Sequence, residues 1–218
     1  MIRSSLLVGA LGMFACASSS PPAGPKHVPA DSAESKTACP ELRATAQTAR
    51  ENLLGEDLGG ESGVQLNRAA AKSVFLHAEC EAAALRGIAP PSGTHDQILS
   101  GLRAIRQQMQ DANNLFQEVS RYDQGAFAVR ASLGEASLRI SYAKTVSSLT
   151  PPADLESKGR DAFESELADA SRVLRLEASG ILELALDTIT TTTEASELKP
   201  QACELWAAAS TSANAHCP

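Results

Sequence analysis

The chain has 218 residues, a formal net charge of −7 and a hydrophobic content of 43%, but only 4% of its residues are aromatic. This length is sufficient for one domain or two small ones, and the composition predicts a core of Ala, Leu, Ile and Val. The negative charge argues against nucleic acid as a partner, because phosphate binding depends on Lys and Arg. It also argues against a polybasic membrane-binding patch.

Residues 1–15 have the pattern of a signal peptide. Arg3 supplies the positive charge, and residues 6–15 form an apolar run that is too short to span a bilayer. Two cleavage sites are compatible with the residues that follow. Ala15-Cys16-Ala17 matches an A-x-A site for ordinary secretion. Met13-Phe14-Ala15-Cys16 resembles the lipobox of bacterial lipoproteins, in which the cysteine becomes the lipidated first residue.

Residues 16–37 are expected to form a flexible linker. The segment is rich in Ser, Pro and Ala and has no apolar periodicity, so it cannot bury enough surface to fold. A linker directly after a cysteine suits an anchored domain and favours lipidation of Cys16. Ala17, in place of Asp, favours the outer membrane. We therefore expect an outer-membrane lipoprotein facing the periplasm or the cell surface; without lipidation, the chain would be periplasmic or secreted.

Four further cysteines follow, and an even number in an exported chain predicts two disulfides. Sequence alone allows three pairings. The midpoint between Cys39 and Cys80 falls on Gly59-Gly60, so two antiparallel helices of equal reach would bring these two cysteines together. Cys203 and Cys217 then pair by elimination. That pairing requires a turn near residues 210–212, because an unbroken helix would hold them about 21 Å apart.

Apolar residues recur every three or four positions along residues 38–218, which predicts an all-α domain without strands. Pro40 is expected in the first turn of the first helix, Thr94 and Gln97 should form a capping box, and Asp154 should cap the fifth helix. A sixth, short helix should start near Pro200 and bury Leu205 and Trp206. The other predicted helices run over about 40–54, 64–86, 95–121, 126–149 and 155–190.

Three patterns predict how these helices pack. The third helix carries an unbroken heptad stripe from Ile98 to Val119, which is typical of a bundle seam. The fourth is apolar on two sides, so we expect it to lie between neighbours. On the fifth helix the residues expected to face inward are Phe163, Leu167, Ala170, Leu174, Ile181 and Leu184. The polar positions expected to be exposed on the fourth and fifth helices include Arg130, Glu135, Arg139, Arg172 and Arg175.

One region carries short motifs that occur in a known family. They are Val129-Arg130 followed by Leu133-Gly134-Glu135, the helix stop at residues 151–155, and Leu182-Glu183-Leu184-Ala185-Leu186. On these motifs, residues 125–186 resemble the helix pairs of tetratricopeptide-like repeat proteins of bacterial envelopes, including a gliding-motility group. The pair is nearly twice as long as their repeat of about 34 residues. The resemblance implies a scaffold that binds other proteins through helix surfaces, and it implies no catalytic residue.

No motif supports an enzyme active site, a cofactor or a metal site. Ser141-Tyr142-Ala143-Lys144 matches the S-x-x-K of penicillin-recognising enzymes, but the S-D-N and K-T-G motifs of those enzymes are missing. The histidines are scattered, and no C-x-x-C or H-E-x-x-H occurs. We therefore expect a disulfide-stapled helical bundle or tetratricopeptide-like array that acts as a non-enzymatic, lipid-anchored scaffold or interaction module for other envelope proteins. The alternative is a periplasmic helical bundle that binds a small apolar ligand or a metal.

Overall fold

The structure is a computed structural model that describes residues 32–55, 60–123, 125–152, 154–210 and 217. This part of the chain contains helices and no strand, which confirms the all-α prediction. The signal peptide, Cys16 and residues 16–31 of the expected linker lie outside the described residues. The helices are α1 (Ser32–Gly55), α2 (Gly60–Arg86), α3 (His95–Tyr122), α4 (Ala126–Ser147), α5 (Ser157–Thr191), a 3₁₀ helix (Thr193–Leu198) and α6 (Lys199–Ala209).

Helix α4 lies at the centre of the fold. It packs against α2 and α3 on one side and against α5, α6 and the 3₁₀ helix on the other. Ala131 and Leu138 face the first group, whereas Val129, Leu133 and Ile140 face the second. Its two predicted apolar faces are thereby confirmed, because a helix between two layers must bury both sides.

Helix α3 also follows its sequence pattern closely. Apart from half-buried Leu102, the residues of the heptad stripe from Ile98 to Val119 are buried. At its start, the Thr94 side chain accepts a hydrogen bond from the Gln97 backbone amide at 3.4 Å. The Gln97 side chain in turn accepts one from the Thr94 amide at 2.8 Å. The predicted capping box is confirmed.

Several predicted helix ends are wrong. Helix α1 begins at Ser32, so it includes residues 32–37 of the expected linker, and Pro40 lies inside it. Helix α2 begins at Gly60, before the predicted start, and this first residue has a φ of +75°, which glycine adopts readily. Glu156, without a side-chain hydrogen bond, precedes α5 in place of the expected cap Asp154. The 3₁₀ helix was not predicted.

The inward face predicted for α5 is wrong at Ala170 and Leu184, which are exposed. Three heptads separate Phe163 from Leu184. Since a straight α-helix drifts by about 20° per heptad, the stripe rotates by about 60° over that length. The buried residues that pack against α4 and α6 in the second half of α5 are Ala178, Leu182, Ala185, Leu186 and Ile189, and half-buried Ile181, predicted to face inward, packs against the same cluster.

Four polar side chains expected to be exposed instead connect helices, and one of them, Arg130, pairs with Glu197 of the 3₁₀ helix at 2.8 Å. Glu135 is buried and accepts hydrogen bonds from Arg139 at 2.7 Å and from Gln117 of α3 at 3.2 Å. Arg139 also pairs with Glu177 of α5 at 3.3 Å. Arg175 donates from Nη1 to the carbonyl oxygen of Ala208 in α6 at 2.6 Å, which joins α5 to α6.

Both predicted disulfide pairings are present. The Cα atoms of Cys39 and Cys80 are 5.6 Å apart, and those of Cys203 and Cys217 are 5.3 Å apart. The first disulfide joins α1 to α2, and the second joins α6 to Cys217. Helix α6 ends at Ala209, immediately before the predicted turn. Leu205 and Trp206 of this helix are half-buried against the core.

Gly134 is required where α4 crosses α3. A Cβ atom at this position would lie 2.5 Å from Cε1 of Phe116 and 2.6 Å from Oε1 of Glu79. We expect Gly134→Ala to destabilise the protein by about 1–2 kcal/mol, because overpacking outweighs the better helix propensity of alanine. Gly180→Ala is the control: it has nothing within 4 Å and should stabilise by about 0.5–1 kcal/mol. Urea unfolding of both variants tests this difference, and equal effects would contradict the close crossing.

Candidate functional site

The structure distributes the sequence-predicted site residues over separate places. Cys39, Cys80, Cys203 and Cys217 form the two disulfides described above. The lipidation candidate Cys16 lies outside the described residues. Two other features could serve binding. They are a polar groove between α2, α4 and α6, and an apolar stripe on the outer face of α5.

We name the first feature the arginine groove. It has a volume of about 380 Å³, within the range of about 300–1,000 Å³ that is typical of small-molecule sites. Its apolar lining consists of Phe75, Leu133, Gly134 and Leu198. Its polar lining consists of Glu79, Arg86, Arg130, Ser137 and Gln201.

The two guanidinium groups of the groove have different partners. Arg86 donates from Nη1 and Nη2 to the two carboxylate oxygens of Glu79, each at 3.2 Å. Arg130 donates from Nη2 to one oxygen of Glu197 at 2.8 Å, and its guanidinium lies 5.7 Å from the ring centre of Phe127. The Nε atoms of both arginines are buried, and neither has a hydrogen-bond acceptor among the described residues.

The lining of the arginine groove is positively charged within an acidic protein. It contains Arg86, Arg130 and a single carboxylate, Glu79. Glu197 pairs with Arg130 from outside this lining, and its side chain is 67% exposed. A pair with so exposed a partner contributes little to stability, so Arg130 is free to exchange Glu197 for another anion.

The second feature is the outer stripe of α5, which we define as Val173, Leu176 and Leu184. These side chains are 45%, 68% and 72% exposed. Gly180 lies on the same face, because positions 173, 176, 180 and 184 follow helical spacing. No atom lies within 4 Å of a Cβ built at Gly180.

Acidic side chains surround the outer stripe. Asp169, Glu177, Glu183 and Asp187 are exposed on the same part of α5. Two basic residues lie on this part of α5. Arg172 pairs with Asp169 at 3.2 Å, and Arg175 donates to the carbonyl oxygen of Ala208 in α6. Glu177 is partly neutralised by Arg139 of α4. The face is therefore apolar at its centre and acidic at its edges.

A separate polar cluster connects α1 to α3. Arg50 donates from Nε and Nη2 to Glu118 at 2.6 and 2.7 Å, and Tyr122 donates to the same carboxylate at 2.7 Å. Burial raises the pKa of Glu118, but the hydrogen bonds from Arg50 and Tyr122 outweigh it and hold that pKa below its usual value. Burial also lowers the pKa of His77, which lies 3.3 Å from Glu81. The pair of Arg50 with Glu118 joins α1 to α3, so we assign this cluster a structural role.

Within the part of the chain that the structure describes, no three His, Cys, Asp or Glu side chains form a group that could hold a metal ion. None of the helices within these same residues is both long and apolar enough to cross a membrane.

Over the residues that the structure describes, the arrangement is a disulfide-linked, all-α fold with a charged groove and an exposed apolar helix face. Comparison with protein-family models, curated proteins and solved structures finds no match. The groove was missed in the sequence because Arg86 and Arg130 lie on different helices. The motif that contains Arg130 and Gly134 indicated a resemblance to repeat proteins and did not indicate a groove.

Proposed function

We propose that this protein is a non-enzymatic, lipid-anchored helical interaction module of the bacterial envelope. The signal-peptide pattern and Cys16 support export and anchoring. The two disulfides are in keeping with an oxidising compartment. The resemblance of residues 125–186 to tetratricopeptide-like envelope proteins supports a role in binding other proteins.

The observation that carries the proposal is the outer stripe of α5. Leu176 and Leu184 are among the most exposed large apolar side chains of the described residues. Fully burying a leucine is worth about 1.5–3 kcal/mol, so covering this face would provide a substantial part of a binding energy. Single exposed apolar residues are common, but several on one helix face support the proposal of an interaction site.

The charges around the stripe indicate the chemistry of its partner. A second copy of the same face would bring acidic edges against acidic edges, and like charges disfavour such a pair. A partner helix with an apolar ridge and flanking Lys or Arg residues complements Asp169, Glu177, Glu183 and Asp187. The proposed partner is therefore an envelope protein that presents a basic amphipathic helix.

Site-specific photo-crosslinking tests the proposal in cells that make the full chain. A photoreactive residue at Gly180 projects into open space at the centre of the stripe. We expect a crosslinked protein product whose yield falls at least about tenfold in Leu176→Glu/Leu184→Glu, because both anchoring contacts are lost. The product should also decrease at high salt, because the complementary charges are screened.

The matched control is Leu54→Glu/Val64→Glu. These residues are as exposed as the stripe but lie on α1 and α2. The control should leave the crosslink unchanged, and circular dichroism should show equal helicity for both double variants. A crosslink insensitive to the α5 substitutions would refute the interaction face.

The lipid anchor is tested separately by labelling with a palmitate analogue, with Cys16→Ser as the comparison. We expect the wild-type chain to take up the label and Cys16→Ser to take up none. An unlabelled wild-type chain would favour ordinary secretion.

A further inference from the structure

The arginine groove offers one guanidinium that can readily change partners. Glu197 takes only Nη2 of Arg130, through one oxygen, and the carboxylate is largely exposed. The neighbouring Nε of Arg130 is buried without an acceptor among the described residues. When Glu197 leaves Nη2, an oxyanion in its place that also accepts from Nε would replace one hydrogen bond by a two-bond fork, the arrangement in which arginine binds carboxylates and phosphates best.

The second guanidinium does not compete for the same anion. Arg86 is held by Glu79 through both Nη atoms, so this pair is neutral and the net positive charge of the lining comes from Arg130. Ser137 and Gln201 supply neutral hydrogen-bond donors in the same groove. Glu79 is the one carboxylate of the lining, and its charge is matched by Arg86.

The apolar part of the lining determines which group the ligand carries beside its anionic head. Phe75, Leu133 and Leu198 line the groove beside the two arginines. Apolar walls with a few placed polar groups are characteristic of small-molecule sites. A volume of about 380 Å³ accommodates a single aromatic or branched apolar group together with its anionic head.

We propose that the arginine groove binds a small organic anion, in which a carboxylate or phosphate accepts hydrogen bonds from Arg130 and an apolar group contacts Phe75, Leu133 and Leu198. Such a ligand differs from the apolar ligand or metal that the sequence suggested as an alternative function. The site is separate from the outer stripe of α5, so it does not depend on the proposed interaction function.

Titration of the purified full chain with simple probes tests this site. Benzoate, phenyl phosphate and inorganic phosphate are compared with benzamide, which has the shape of benzoate but no charge. We expect calorimetry to show that benzoate and phenyl phosphate bind at least tenfold more tightly than benzamide or inorganic phosphate. Arg130→Gln should weaken binding of both anions at least tenfold, because it removes the charged fork. Ser137→Phe, which fills the groove, should abolish binding.

Two further variants separate this site from a general effect of charge. Glu197→Gln should strengthen anion binding severalfold, because it removes the competing carboxylate at the rim. Arg68→Gln is the matched control, since Arg68 pairs at 2.9 Å with Glu194 of the same 3₁₀ helix but lies outside the lining. It should leave binding unchanged. Equal affinity for benzamide and benzoate, no binding at millimolar concentration, or full binding by folded Arg130→Gln and Ser137→Phe would overturn the proposal.

Discussion

Replacing Phe116 with alanine is expected to lower the free energy of unfolding by about 3–5 kcal/mol. Its side chain is only 1% exposed and lies where α2, α3 and α4 meet. The ring centre of Phe75 is 6.3 Å away, and Gly134 allows α4 to approach the same ring closely. Since α4 is held on both sides, the cavity left by the ring cannot close by moving a single helix. Guanidinium unfolding followed by circular dichroism measures the loss.

Leu184→Ala is the control for this prediction. Both residues belong to apolar stripes that the sequence predicts to face inward, but Leu184 is 72% exposed. We expect its replacement to change the free energy of unfolding by no more than about 0.5 kcal/mol. A loss at Leu184 comparable to that at Phe116 would mean that the outer face of α5 is covered, and the assignment of the outer stripe would be wrong.

The elements predicted correctly are those whose pattern is local and continuous. The capping box at Thr94 and Gln97 needs only four consecutive residues, and the stripe of α3 repeats without interruption. The two apolar faces of α4 required it to be central wherever its neighbours lay. The disulfide pairing followed from the equal distances of Cys39 and Cys80 from one turn.

The errors arise where a neighbouring helix decides the outcome. The buried face of α5 changes along its length, since Phe163 packs with Ile98 and Leu149, whereas Leu182 packs in the cluster formed with α4 and α6. A heptad repeat that starts at Phe163 therefore cannot predict the buried face over the whole length of α5. Glu135 reads as a solvent-facing residue until Arg139 and Gln117 are found beside it.

The two candidate sites were less predictable from the sequence than the fold. The exposed stripe on α5 can be recognised only when the buried face of this helix is known. By its spacing alone, Leu184 is compatible with the buried face and with the exposed face. The arginine groove depends on the position of α6, which brings Gln201 beside residues of α2 and α4. Contacts between residues far apart in the chain carry no local sequence signal, so both features required the tertiary structure.

Removing the first disulfide is the other change with a large expected effect. Cys39 and Cys80 are separated by 41 residues, and closing a loop of this length stabilises the folded state by up to about 4 kcal/mol. The effect should be greatest in α1, which packs mainly on α2 and buries Ala46 and Leu53 among its described side chains. In Cys39→Ser/Cys80→Ser we therefore expect faster hydrogen exchange throughout α1, while α4 remains protected.

The second disulfide provides the comparison. Cys203 and Cys217 are separated by 14 residues, so their loss should remove about 3 kcal/mol and should affect α6 rather than α1. In the variant that lacks the Cys39–Cys80 disulfide, the ion pair of Arg50 with Glu118 would still hold α1 to α3. Glu118→Gln in that background should therefore accelerate exchange in α1 further. Non-reducing peptide mapping must first find Cys39 joined to Cys80 in the wild type, and uniform exchange across all helices would contradict a selectively released α1.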